Sequence, residues 1–265
     1  MKAKLRKRLG WILVGFSSLV GLWAFTQPLP YVYVAPGPAF NVLGEFEESE
    51  IISITPSPGG ESLGSIDLLT VSQYGSPKLT PTFLELLIAL LSEDKAIYPI
   101  EAIYPSGVSE EEMDAKQSKF FEESKQSAIT AAFSELPKGF DEKYEVTLEL
   151  DKVGGPSGGL AFALGIIDRL SPESITGGKR FAVTGTIKSD GEVGAIGGIR
   201  QKVFSAIAAG DRFLLIPEDN CQQAVAVNQS EVKVIPVKSL REALVAMSII
   251  ASDGNLDLVP VCSTQ

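Results

Sequence analysis

Apolar residues recur along this chain in several rhythms, and each rhythm predicts a different element. Between Leu9 and Phe25 the run is continuous: LGWILVGFSSLVGLWAF holds no charge over 17 residues. Ile51–Ile54 and Ile66–Ser72 (IDLLTVS) are short apolar runs punctuated by glycines, and they read as strands. Tyr144–Leu150 alternates, with Val146, Leu148 and Leu150 on one side, as a half-buried strand does. Helical spacing appears elsewhere. Pro81–Leu91 reads as a helix with proline near its first turn. A polar, acidic helix from about Ser109 to Leu136 puts Phe120, Ser124, Ser127, Ala128, Ala131 and Ala132 on one face. Leu160–Leu170 is apolar all round, which predicts a buried helix. Phe181–Ile187 reads as a strand and Arg200–Ala209 as a helix ended by Gly210. Strands at Phe213–Ile216 and Val232–Val237 enclose a short helix, Asp219–Ala226, capped by Asp219. A helix near Ser239–Ile250 closes this alternating β/α tail.

The N-terminal run changes the picture most. Lys2, Lys4, Arg6, Lys7 and Arg8 precede it, and Trp11 and Trp23 lie near its ends. A basic block before an apolar segment with interfacial aromatics predicts a membrane anchor with Met1 in the cytoplasm and the rest outside. A cleaved signal peptide is the rival; Thr26-Gln27-Pro28 offers no small-x-small cleavage site, which favours an uncleaved signal anchor. The expected organisation is a basic tail and anchor over 1–26, an extended Pro/Gly-rich linker over 27–50, a catalytic domain over 51–252, and a loose tail over 253–265.

Charge narrows the function. Of 23 basic side chains, five sit in the first eight residues, leaving 18 against 33 acidic ones. A body that acidic repels phosphate backbones, so no nucleic-acid partner is expected. The chain has no histidine and only two cysteines, Cys221 and Cys262. Histidine-based triads and histidine-ligated metals are therefore excluded within the chain, and neither a metal nor a cofactor is expected. The cysteines can pair once exported, but Cys221 falls in an expected helix and Cys262 in the tail, which favours two separate thiols.

Ser157 stands in Gly154-Gly155-Pro156-Ser157-Gly158-Gly159, at a strand–turn–helix junction. The unpaired amides of a helix N-terminus can hold a developing oxyanion, so a nucleophilic serine fits there. A helix-capping serine and a phosphate cradle are the plainer readings of the same residues. A nucleophilic serine without histidine needs another base. Lysine serves only as the neutral amine, which requires desolvation or cationic neighbours. Lys202, among Ile199, Val203, Ser205 and Ala206, is the candidate; a solvated surface lysine is its plainer reading.

These segments together resemble a known family. Gly154–Gly159, Val183-Thr184-Gly185-Thr186 and Ile196-Gly197-Gly198-Ile199-Arg200-Gln201-Lys202 look like the proteolytic domain of Lon proteases. That family has a Pro-Ser-Ala/Gly-Gly motif and, some forty residues on, a Gly-Gly-x-x-x-Lys motif. Asp67–Val71 resembles its early strand, and Glu123-Ser124 its Glu-Ser helix. The resemblance implies an α+β fold with mixed sheets and β/α units. It implies Ser157 as nucleophile, Lys202 as dyad base, Thr184 as the residue orienting that lysine, and backbone at Gly155, Pro156 and Gly158 around the oxyanion. It also implies polypeptide substrates and a homo-oligomeric ring, hexameric by that resemblance. Leu29-Pro30-Tyr31, Pro36-Gly37 and Asp219-Asn220-Cys221 bring the chain nearer to membrane-anchored Lon-like bacterial proteases of the YlbL type. Three departures stand out. There is no room for a PDZ domain between the polar helix and the serine strand. Gly154 stands where many Lon enzymes have aspartate, with Asp151 six residues before the serine. No ATPase motif is present, so cleavage is expected without ATP. The rival from another class is a catalytically inactive Lon-fold membrane scaffold.

Overall fold

The computed structural model describes residues 2–60, 62–150, 153–227 and 231–263. Along the chain, α1 (Lys2–Phe25) is followed by β1 (Tyr31–Asn41), β2 (Glu45–Phe46), β3 (Ser49–Glu50), β4 (Ile52–Thr55) and β5 (Ser65–Tyr74). Next come α2 (Phe83–Leu90), β6 (Ala96–Pro99), α3 (Ile100–Ile103), the long α4 (Glu110–Glu135), α5 (Phe140–Lys143) and β7 (Glu145–Leu148). A 3-10 turn at Pro156–Gly158 opens α6 (Gly159–Leu170); β8 (Arg180–Val183), β9 (Thr186–Ile187) and β10 (Val193–Gly194) then lead to α7 (Ile199–Ala209). β11 (Phe213–Pro217), α8 (Cys221–Ala224), β12 (Lys233–Val237) and α9 (Leu240–Ala251) complete a mixed α+β order. Two compact units are made from it: Met1–Ala35 with Gln73–Glu110, and Pro36–Ser72 with Glu111–Gln265.

In the first unit, Tyr31–Val34 of β1 pairs antiparallel with Ala96–Pro99 of β6. Thr82, after the expected proline, caps α2: its hydroxyl accepts from Glu85 N–H while the Glu85 carboxylate accepts from Thr82 N–H. This reciprocal arrangement satisfies two otherwise orphaned donors. The expected apolar run is helical in α1, and from Trp11 onward its large side chains are exposed. The expected transmembrane span is not supported, because among the described residues no helix is long and apolar enough to cross a membrane. Seventeen helical residues reach only about 26 Å, short of a hydrocarbon core of about 30 Å.

The second unit is organised by four parallel strands in the order β12-β11-β8-β5. Side chains alternate between its faces, as the period of a strand requires. Phe181, Val183 and Leu215 join α6 and α9 in one apolar cluster. Ala182, Leu214 and Ile216 join Ile199, Val203 and Ala206 of α7 in another. Both faces are covered, which suits parallel strands. α6 is buried at every residue but Arg169, as its almost wholly apolar sequence predicts. The buried face of α4 is Phe121, Ser124, Ala128, Ala131 and Ala132, with Phe121 in place of the expected Phe120, which is exposed.

Three sequence expectations are corrected here. The extended linker expected at 27–50 contains β1, whose Val32 and Val34 are buried despite the surrounding prolines. The single strand expected at Phe181–Ile187 is broken between β8 and β9 by Thr184-Gly185. The two separate thiols and the loose tail give way to a staple: Cys262 forms a disulfide with Cys221, and its N–H donates to Val234 O at 3.0 Å.

The Pro36-Gly37 motif has a packing reason. A Cβ on Gly37 would lie 2.8 Å from both the Thr70 carbonyl carbon and the Val71 nitrogen. Backbone cannot yield as a side-chain end can, so Gly37→Ala is expected to destabilise the protein by about 1–3 kcal/mol. A lowered midpoint in urea unfolding, with an unchanged slope, checks this.

Candidate active site

The site is assembled where β8 ends. Leaving the strand, Thr184 keeps a sheet-like bond from its N–H to Leu215 O at 3.1 Å. The next residue turns away: Gly185 N–H donates to Ser157 O at 2.9 Å, and Leu160 N–H donates to Gly185 O at 3.2 Å. The break in the strand therefore stitches the serine loop to the end of the sheet. On the other side, Ser124 of α4 donates its hydroxyl to Pro156 O at 3.0 Å. Gly155 enters this loop at φ +79°, in the region that disfavours any side chain.

α7 supplies the lysine. Lys202 sits in its first turn, with N–H donating to Gly198 O at 3.0 Å, and the residue is only 2% exposed. Its Nζ lies 2.7 Å from Ser157 Oγ and 2.8 Å from Thr184 Oγ1. Burial pushes its pKa down from the ordinary lysine value to about 7. A hydrophobic helix packed on the sheet thus holds an amine that is substantially neutral near neutral pH.

The hydroxyl of Thr184 fixes which way that amine faces. Thr184 Oγ1 donates to Ser157 O at 3.2 Å, so its only hydrogen is committed. It can therefore only accept from Lys202. A neutral amine has two hydrogens and one lone pair. With one N–H directed at Thr184, the lone pair is free to face the Ser157 hydroxyl. The arrangement can remove the serine proton and later return it to a leaving group.

The sequence-expected residues Ser157, Lys202 and Thr184 are brought together. The expected backbone set around the oxyanion is only partly suited to that role. Gly155 N–H is already donated to Gln117 O of α4 at 3.1 Å. Pro156 has no N–H at all, a fact of its chemistry. Gly158 closes the 3-10 turn Pro156–Gly158 that leads into α6. Asp151 lies outside the described residues. Sequence reasoning missed Gln117 as the partner of the serine loop. It placed Ser124 on the right helical face without a role, and nothing in the local pattern marks either contact.

Comparison with known proteins follows the same segments. The family model of the Lon protease (S16) C-terminal proteolytic domain matches residues 97–249, more than half of the chain. The Lon protease of Trichlorobacter lovleyi is 37% identical over 93 residues, covering 34% of this chain and 11% of that protein. The archaeal Lon protease of Archaeoglobus fulgidus is 34% identical over 94 residues, covering 35% of this chain and 15% of that protein. That of Pyrococcus abyssi is 27% identical over 182 residues, covering 65% of this chain and 18% of that protein. These alignments cover between about a tenth and a fifth of the length of the relatives.

Proposed function

The chain belongs to the family of the Lon protease (S16) C-terminal proteolytic domain, and from that premise we propose that it is a serine endopeptidase with Ser157 as nucleophile and Lys202 as general base. The observation that carries this reading is the 2.7 Å approach of a buried Lys202 Nζ to Ser157 Oγ. Neutral Lys202 takes the serine proton as Oγ attacks a peptide carbonyl carbon. In this reading, backbone N–H groups around Ser157 hold the oxyanion that develops. The lysinium then protonates the departing amine, and the acyl-enzyme forms. Water attacks that ester with Lys202 again as base, releasing the acid and restoring the serine. Thr184 holds the amine in register throughout.

The substrates in this reading are flexible or unfolded polypeptides, cleaved without ATP. The location proposed is a membrane surface, with the catalytic unit outside the cytoplasm and identical subunits in a ring. The exposed apolar side chains of α1 and the Cys221–Cys262 disulfide support the location, since disulfides persist in oxidising compartments. The full chain is tested on unfolded casein and on a compact folded protein, with and without ATP. Cleavage of casein alone, independent of nucleotide, and labelling of Ser157 by a fluorophosphonate are the expected results. Absence of labelling with intact casein would leave only a non-catalytic scaffold.

A further inference from the structure

The Asp219-Asn220-Cys221 motif has no part in the proposed proton transfers, yet Asn220 is 2% exposed and makes two bonds to one backbone residue. Its Oδ1 accepts from Ile196 N–H at 3.0 Å, and its Nδ2 donates to Ile196 O at 3.0 Å. The second hydrogen of Nδ2 goes to Gln223 Oε1 at 3.2 Å. One side-chain amide thus pairs with Ile196 as a neighbouring strand would. Ile196 is partly buried, its backbone groups need partners, and this amide supplies both.

The placement of Ile196 gives that clamp its meaning. Ile196 lies in the connection between β10 and α7, two residues before Gly198, whose carbonyl accepts from Lys202 N–H. The following Gly197 has no side chain to anchor the loop, and a Cβ added there would meet open space. Further along, Ser205 of α7 donates its hydroxyl to Gly37 O, which holds the middle of the helix. The start of α7 is held by Asn220. Lys202 has to reach two hydroxyls at 2.7 and 2.8 Å from that first turn. A displacement of about 1 Å is enough to cost orders of magnitude in rate.

We propose that Asn220 is a positioning residue for the reaction: its amide fixes Ile196 and thereby the first turn of α7, which sets both the reach and the burial of Lys202. This rests on the Ser157–Lys202 reading. The bond from Asn220 to Ile196 O requires a donor, so aspartate keeps one half of the clamp and alanine neither.

Purified full-length Asn220→Ala and Asn220→Asp are compared with wild type for peptide cleavage across pH 5–10 and for melting temperature. Nζ faces two hydroxyls, and burial is the cause of its lowered pKa. Loosening the first turn wets it, so the acid limb of the pH profile is expected to move up by about half a unit or more. kcat is expected to fall about tenfold or more, with KM within about twofold. A purely structural role lowers the folded fraction, which scales the whole profile down without moving its limb. If both variants keep the wild-type limb and the wild-type kcat per folded molecule, Asn220 does not position Lys202. If Asn220→Ala does not fold, Asn220→Asp alone decides by the same criterion. Full activity in Ser157→Ala would instead sink the dyad reading itself.

Discussion

Replacing Lys202 by methionine is expected to abolish cleavage and to raise the melting temperature in the same molecule. Methionine keeps the length and apolar body of the side chain and removes the amine. Loss of the general base is expected to lower kcat/KM by about 10³-fold or more, and Ser157→Ala by a similar factor, because the two groups act as a unit. The stabilities of the two variants should differ. Burial holds the Lys202 pKa at about 7, against 10.5 ordinarily. At about 1.36 kcal/mol per unit the folded state carries a penalty of at most roughly 5 kcal/mol for this group. The penalty is complete at pH 7 and below, where the unfolded lysine is charged at no cost. It shrinks as pH rises toward 10.5, where both states are neutral. Lys202→Met should therefore stabilise by a few kcal/mol near pH 6–7 and by little near pH 10. Ser157→Ala leaves the buried amine in place and gains no such increment. Calorimetry of the three proteins at pH 6, 8 and 10 distinguishes these outcomes; equal melting temperatures at pH 6 would mean that Lys202 is not the buried strained base described here.

Cleavage by the wild-type chain is expected to fall about tenfold per pH unit below pH 7 and to level off above about pH 8. The sign follows from the role: the base works only when neutral, and burial places its titration at about 7. No imidazole can produce this limb, because the chain has no histidine. Among the described residues Asp211 is also pushed to about 7, by burial first and then by the neighbouring Asp67, against the opposing Arg180. Asp211 and Asp67 share that guanidinium, at 3.2 and 2.8 Å. Its effect on stability has the opposite sign. A carboxyl with raised pKa favours folding while protonated, and that contribution is lost as pH rises from about 4 through 7. Asp211→Asn should thus leave the kinetic limb in place while flattening the loss of stability over that range. A kcat/KM profile that is flat from pH 5 to 9, or a limb that moves with Asp211, would contradict the assignment to Lys202.

The parts of this molecule that sequence alone made legible are those with a strong local signal. α6 is apolar on every side and could only be buried. The absence of histidine made lysine a candidate base, and the resemblance to the Lon proteolytic domain pointed to Lys202 among the lysines. What was illegible depends on partners distant in sequence. Prolines and glycines hid β1, although Val32 and Val34 alternate toward the core. Thr184-Gly185 looked like the middle of a strand, yet Gly185 leaves the sheet to bind Ser157 O. The Gln117 contact that occupies Gly155 N–H joins residues with no shared pattern. Pro156 is a different kind of error, since its lack of an N–H is readable from the letter itself.

The stapled tail has a consequence for keeping the protein in solution. β12 ends the parallel strand order, and an outermost strand is a template on which other chains can pair. Cys262 stitches the tail to Val234 on that strand, and the bond to Cys221 prevents the stitch from peeling away. The two sulfurs guard the molecule against its own copies. Preparations made in a reducing compartment would carry a bare sheet edge, and their yield would be limited by aggregation while Ser157 and Lys202 remained chemically intact.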